Sequence, residues 1–257
     1  MYNVMKVSII GYKNHASRLE TILKRTGIIP FMWNHHKDTF TALRDSDAIL
    51  ISSPNDTHVK YVKKILDLNI DSYIFCEKPP AVNDKELDYL EGLSNNIKGK
   101  IFFNFNRRFS YIPKLISEKE LGKPIHFNFI SSHGLAFKSE NNWRFKSTDK
   151  MMGVYGTVVI HYIDLCIWLL GDCKNFNINT ATYTKSNLAD SITIDMKFNN
   201  GCTVNIFASY VTPFINRSNM IFENGIIEQE GGTINLYENW DTYDKNGFFT
   251  KPDKQTL

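Results

Sequence analysis

An acid and a base stand side by side at the end of an apolar run in Cys76-Glu77-Lys78-Pro79-Pro80. Ser72 to Cys76 reads as a strand. The two prolines lack backbone donors and fix their own φ, so they end strand pairing and hold Lys78 in an unusual turn, one compatible with a cis bond before Pro79. A lysine parked there can donate to a substrate hydroxyl or shuttle its proton, and the carboxyl edge of a parallel sheet is where ligands bind. The plain alternative is a solvated surface lysine. A second polar set interrupts the apolar run Val158 to Leu170, where Thr157, His161 and Asp164 are spaced to share one face of a helix. A buried charge needs a partner, so this stripe faces a cleft, a cofactor or its own members, the last being an internal His161–Asp164 pair.

A third set is Gly11-Tyr12-Lys13-Asn14-His15-Ala16, which follows the first strand. A dinucleotide fingerprint needs G-x-G-x-x-G, so that the second glycine admits the pyrophosphate and the third lets helix and strand pack closely. Here Gly11 is kept, Ala16 is a tolerable third position, and Lys13 replaces the second glycine. Lys13 could pair its ammonium with the pyrophosphate from a shifted turn, with Asn14 beside it; the alternative is an ordinary strand-to-helix turn without a ligand. The second strand ends in Trp33-Asn34-His35-His36-Lys37 rather than in the acid that accepts adenosine ribose hydroxyls. Asn34 can still hydrogen-bond ribose, whereas His36 and Lys37 could meet a 2′-phosphate, so NAD and NADP both remain open; His35 and His36 also fit a solvated loop.

The elements that position these groups follow from periodicity. Strands are expected at Val4 to Ile10, Ile28 to Trp33, Asp47 to Ser52, Ser72 to Cys76 and Lys100 to Asn104. Helical segments are expected at Ala16 to Arg25, Thr39 to Arg44, Asp56 to Leu68 and Asn83 to Leu93, with Asn55 or Asp56 capping the third. That alternation predicts a doubly wound parallel sheet over 1–108, after which the pattern changes. Residues 109–257 then read as an α+β domain with an open antiparallel sheet. It contains a helix from Ile112 to Leu121 ending at Gly122, a buried helix from Val158 to Leu170, and strands at Ile125 to Ser131, Ile192 to Phe198, Thr203 to Tyr210, Ser218 to Phe222 and Ile226 to Glu230. Asn200-Gly201 turns a hairpin, and the polar tail from Tyr243 is expected to be loosely held.

Composition bounds the class. The chain is 42% hydrophobic and 22% charged with a net charge of +3, enough for one or two soluble cores and too little basic excess for nucleic acid. Cys76, Cys166, Cys173 and Cys202 form no CxxC pair and no metal-ligand spacing, so free thiols in a reducing cytoplasm and no metal are expected. The short apolar run Val7 to Ile10 is neither a signal peptide nor a membrane anchor, and Val158 to Leu170 is too short to span a bilayer.

In order along the chain stand Gly11, Ser53-Pro54-Asn55-Asp56-Thr57-His58, Glu77-Lys78-Pro79, Asn106-Arg107-Arg108-Phe109, Trp143-Arg144, Gly153 to Gly171 with His161 and Asp164, and Ala189-Asp190-Ser191. This series resembles the glucose-fructose oxidoreductase/inositol dehydrogenase family, usually called Gfo/Idh/MocA, over nearly the whole chain. The resemblance implies a Rossmann domain binding NAD or NADP, with Ser53, Pro54, Asn55, His58 and Glu77 beside the dinucleotide, and a sugar, polyol or nucleotide-sugar substrate held between the two domains. It implies that Lys78 and His161 lie near the reacting carbon, with Arg108, Trp143, Arg144 and Asp164 contributing substrate contacts. The family pattern has an aspartate four residues before the histidine; Thr157 stands there, and its hydroxyl can bond a sugar but cannot take a proton near neutral pH. The expected protein is thus an NAD(P)-dependent sugar oxidoreductase that assembles through its open sheet as a homodimer or homotetramer. The alternatives are a cofactor-poor binding or assembly homologue and an enzyme that cleaves glycosides by transient oxidation with NAD.

Overall fold

The computed structural model describes residues 5–134, 153–250 and 253–257. The chain divides into two compact units, the first reaching Asn104 and the second beginning at Phe105.

In the first unit, strands β1 (Val7–Ile10), β2 (Phe31–Trp33), β3 (Ala48–Ile51), β4 (Tyr73–Cys76) and β5 (Ile101–Phe103) form an all-parallel sheet in the order β2-β1-β3-β4-β5. The aliphatic strand residues explain this: Ile9, Ile49, Ile51, Ile74 and Cys76 are almost wholly buried, while Tyr73 and Phe75 on the opposite face of β4 and Phe102 of β5 stay exposed. Helices α1 (Asn14–Arg25), α2 (His58–Asp67), α3 (Asp84–Glu91) and the short α4 (Asn95–Lys98) supply the crossovers. The chain leaves β1 towards one side of the sheet and β3 towards the other, so the carboxyl ends of β1 and β3 flank the switch point where such folds bind ligands.

The second unit opens with a 3₁₀ turn at Asn106–Phe109 and helix α5 (Tyr111–Glu118). Its sheet contains β6 (Pro124–Ser132), β7 (Cys173–Ala181), β8 (Ser191–Phe198), β9 (Thr203–Ser209), β10 (Ile215–Phe222), β11 (Gly225–Glu230), β12 (Thr233–Glu238) and β13 (Lys254–Thr256) in the order β13-β12-β11-β10-β6-β9-β8-β7. Every pairing is antiparallel except β6 with β9. A π-helical turn, Tyr155–Val159, runs into α6 (Ile160–Leu170). Tyr162, Leu165 and Cys166 of α6 bury against Phe127, Phe129, Ile194, Val204 and Ile206, with the rings of Phe129 and Tyr162 4.9 Å apart.

Several expectations need correction. The helix read from Asp56 starts as a 3₁₀ turn, Asn55–Thr57, and α2 itself begins at His58. The helix read to Leu121 ends at Glu118, because Lys119 is already extended. The run from Val158 is not buried all round: Ile167 and Trp168 are about half exposed. Three strands, β7, β12 and β13, carry no strong apolar signal, and the tail is pinned at Lys254–Thr256 by pairing with β12. The unit boundary lies before the Asn106–Phe109 turn, which packs with α6 through Arg107 and Arg108.

Candidate functional site

At the switch point of the first unit, Gly11 adopts φ +139°, and a Cβ there would lie 2.6 Å from the backbone oxygen of Ser52. Only glycine lets the exit of β1 lie this close to the exit of β3. Lys13 is the extended N-cap of α1, with φ −97°, a conformation that needs no glycine, so the lysine is accommodated by ordinary backbone. No side chain caps α1 and no acid lies in its first turn, leaving its leading amides available to an anion. Among the described residues Ser52 Oγ is buried without a hydrogen-bond partner beside this turn. These features fit the pyrophosphate of a dinucleotide. Lys13→Ala is expected to weaken dinucleotide binding by about 1–3 kcal/mol in calorimetry, the scale of a charge-assisted bond to phosphate; unchanged or tighter binding would make Lys13 an obstacle instead.

The Glu77-Lys78-Pro79 turn lies at the end of β4, two strands along the same edge, with a cis bond between Lys78 and Pro79. Glu77 accepts hydrogen bonds from His15 Nε2 and Asn104 Nδ2, each at 2.7 Å. Burial pushes its carboxyl upward, but these two bonds and the nearby charges of His15 and Lys78 bring it below the usual carboxylate range. Glu77 is thereby held as an anion next to Lys78. Neither His15 nor Asn104 stood out by motif; their signal was position, on the first turn after Gly11 and at the exit of β5.

Ser53-Pro54-Asn55 leaves β3 on the same edge. Thr57 Oγ1 lies 2.7 Å from Ser53 Oγ and 2.6 Å from the oxygen of Pro54, which closes the loop. His58, expected beside the dinucleotide, is wholly buried beneath the Ser53 loop. Its Nδ1 lies 3.0 Å from the Pro79 oxygen and its Nε2 3.1 Å from the Ser53 oxygen, so the ring ties the Ser53 loop to the Lys78 turn. A neutral imidazole has one N–H and can serve only one carbonyl. Burial pushes the His58 pKa below 6.5, outweighing the two carbonyls and Glu77, which favour the proton; Lys78 adds to the lowering. The unfolded chain therefore binds this proton more readily than the native one. Stability should fall as pH drops below about 6.5, the ordinary histidine value, and His58→Gln should flatten that part of the curve in urea titrations taken at successive pH values. An unchanged slope would remove His58 as its cause.

Asn34, at the end of β2, is engaged by its own turn: its Oδ1 accepts the His36 amide at 3.0 Å, and its amide donates to Asp38 Oδ2 at 2.8 Å.

In the second unit, the π turn and α6 carry Thr157, His161 and Asp164. Thr157 Oγ1 donates to the Gly153 oxygen at 2.6 Å and is hydrogen-bonded to the Tyr210 hydroxyl. Tyr210 is buried, with its ring 4.7 Å from that of His133. π-helical turns recur at functional sites, and this one sits directly before His161. Asp164 is paired with Arg108, whose Nε lies 2.8 Å from Oδ2 while Nη2 bonds Oδ1. Arg107 stacks on the Tyr162 ring at 4.0 Å and donates to its hydroxyl. Two residues expected at a substrate site, Arg108 and Asp164, thus hold each other. With Asp164 only 9% exposed and Arg108 38%, Arg108→Met should cost about 2 kcal/mol, less than a fully buried pair because solvent screens the guanidinium. A denaturation midpoint left unchanged would count against this. Trp143 and Arg144 lie outside the described residues.

Family models match both units in order. Residues 6–97 match an oxidoreductase family with an NAD-binding Rossmann fold, and residues 109–228 match the C-terminal domain of the same Gfo/Idh/MocA family. The chain belongs to the Gfo/Idh/MocA oxidoreductase family. Its first unit is the NAD-binding Rossmann domain of that family. Inositol 2-dehydrogenase of Salmonella paratyphi B is 26% identical over 162 residues, 61% of this chain and 45% of its own length. Levoglucosan dehydrogenase of Pseudarthrobacter phenanthrenivorans is 26% identical over 145 residues, 54% of this chain and 37% of its own length. These matches thus span less than half of either relative. Among solved structures, UDP-N-acetylglucosamine 3-dehydrogenase from Acidithiobacillus ferrooxidans superposes with a TM-score of 0.78 at 17% identity, covering 98% of this chain and 82% of the other. A levoglucosan dehydrogenase in complex with NADH gives 0.75 at 17%, covering 98% and 79%. At this identity the two Gfo/Idh/MocA-like structures establish the fold. Among the described residues no helix is long and apolar enough to cross a membrane, and no cluster of His, Cys, Asp or Glu could hold a metal.

Proposed function

We propose that this chain is a nicotinamide-dependent oxidoreductase acting on a secondary alcohol of a sugar, polyol or nucleotide-linked sugar. The observation that carries the reading is Lys78 at the carboxyl edge of β4, next to a Glu77 anion held by His15 and Asn104, on the same edge as a glycine turn suited to pyrophosphate. The nicotinamide would accept or return the hydride. Lys78 would donate to the carbinol oxygen, which carries negative charge once its proton is lost and becomes the carbonyl oxygen as hydride departs, and His161 would take the hydroxyl proton. Thr157 and Tyr210 together provide hydroxyls where the family pattern has a carboxylate, so they orient and do not deprotonate. Substrates that match are those of the relatives, inositol and levoglucosan dehydrogenases and the nucleotide-sugar dehydrogenase.

The test is a panel of sugars, polyols and nucleotide sugars assayed with each dinucleotide by nicotinamide absorbance, beside mass spectrometry of the supernatant from denatured protein to detect carried cofactor. Turnover that Lys78→Ala abolishes supports the reading. Retained dinucleotide with no turnover on any substrate would favour a binding protein.

We further propose that the second unit's sheet mediates a homodimer or homotetramer in the cytoplasm. Ile130, Phe207, Ile221 and Ile226 alternate with the core residues and stay partly exposed on the face opposite α6, with Ile130 paired to Phe207 across β6 and β9. A monomer by light scattering at micromolar concentration would overturn this.

A further inference from the structure

We infer that the adenosine end of the cofactor site selects a 2′-phosphorylated dinucleotide, NADP(H), over NAD(H). This rests on the dinucleotide reading of the Gly11 turn and adds to it the chemistry at the end of β2. Selection of NAD there requires a carboxylate to accept the two ribose hydroxyls. The residue in that place is the uncharged Asn34, whose side-chain oxygen takes the His36 amide and whose backbone oxygen takes the amides of Lys37 and Asp38, each at 2.9 Å. The carboxylate of this turn is that of Asp38, and it holds the Asn34 amide at 2.8 Å. A ribose bearing free hydroxyls therefore meets no carboxylate presented to it among the described residues.

What the turn does present is donors. His35, His36 and Lys37 are all exposed. The two imidazoles lie 3.8 Å apart, and Tyr12, in the glycine turn itself, packs 5.7 Å and 6.3 Å from them. This links the phosphate-binding turn to the end of β2 and clusters two imidazoles there, with Lys37 next in the chain and exposed. A phosphate monoester brings three acceptor oxygens and close to two negative charges, which match such donors; a hydroxyl pair does not. Asp38 is the opposing charge, and its bond to the Asn34 amide keeps one oxygen directed into the turn.

The experiment is calorimetric titration of the full chain with NADPH and NADH, and with the half-molecules 2′,5′-ADP and 5′-AMP. NADPH should bind at least about tenfold tighter than NADH, and 2′,5′-ADP tighter than AMP by a similar factor, the gap shrinking with added salt. Lys37→Ala should weaken NADPH about fivefold or more while shifting NADH less than about twofold. Asn34→Asp should narrow or reverse the preference. NADH binding as tightly as NADPH would overturn the inference and leave the dinucleotide reading standing. Failure of both dinucleotides to bind would overturn the two together.

Discussion

His161→Ala is expected to lower turnover by about 10²-fold or more, the scale of losing a general base, while thermal stability stays nearly intact. The stability half of this expectation comes from Asp164. Had that carboxylate relied on His161, removing the imidazole would leave a buried charge unpaired, which costs several kcal/mol. Instead Asp164 is held by two nitrogens of Arg108. Activity and stability should therefore separate in this variant, measured as turnover per folded molecule and melting temperature. A large drop in melting temperature with turnover retained would assign His161 to packing. Thr157→Asp is the companion, because it returns a carboxylate to the position now occupied by a hydroxyl pair with Tyr210. Faster turnover would mark the threonine as attenuating the chemistry.

Gly11→Ala should destabilise the first unit by about 3 kcal/mol and abolish dinucleotide binding, since a left-handed backbone and a steric clash fall on one residue. The added Cβ would stand 2.6 Å from the Ser52 oxygen, a backbone atom that cannot swing aside. Gly27 is the internal control: it also has positive φ, +84°, but nothing within 4 Å of its virtual Cβ. Gly27→Ala should cost only the backbone strain, about 1 kcal/mol, and leave binding as it was. Equal losses at the two positions, read from urea midpoints, would show that the close approach of β1 and β3 is not what Gly11 is kept for.

The parallel sheet was legible because β1 and β3, Val7 to Ile10 and Ala48 to Ile51, are short, nearly fully buried aliphatic runs that interrupt helical periodicity. β7 was not, because as an edge strand nearly every residue from Lys174 to Thr180 is exposed and Asn alternates with Phe and Ile without a buried set to mark the register. The parallel pairing of β6 with β9 was equally invisible, since strand direction depends on partners far along the chain. In the site, residue types at element ends were readable, which is why Gly11, Lys78 and His161 could be named. Pairings were not. That Asp164 would meet Arg108, that Glu77 would meet His15 and Asn104, and that His58 would lie beneath the loops it joins are facts of packing with no local signature.

The place of β6 in its sheet bears on how the chain reaches its native state. β6 is the first strand of the second unit to be synthesised, yet its neighbours are β9 and β10, whose residues begin at Thr203 and Ile215. The first sheet closes by Phe103, with all its partners close in sequence, so that unit can fold while the rest is still being made. Phe127 and Phe129 must meanwhile wait for some 70 further residues before their final partners exist, exposed on an unpaired strand with two open edges. Expression yield should therefore be more sensitive to truncation after β8 than to loss of β13, because the former strands the central strand whereas the latter trims only a sheet edge.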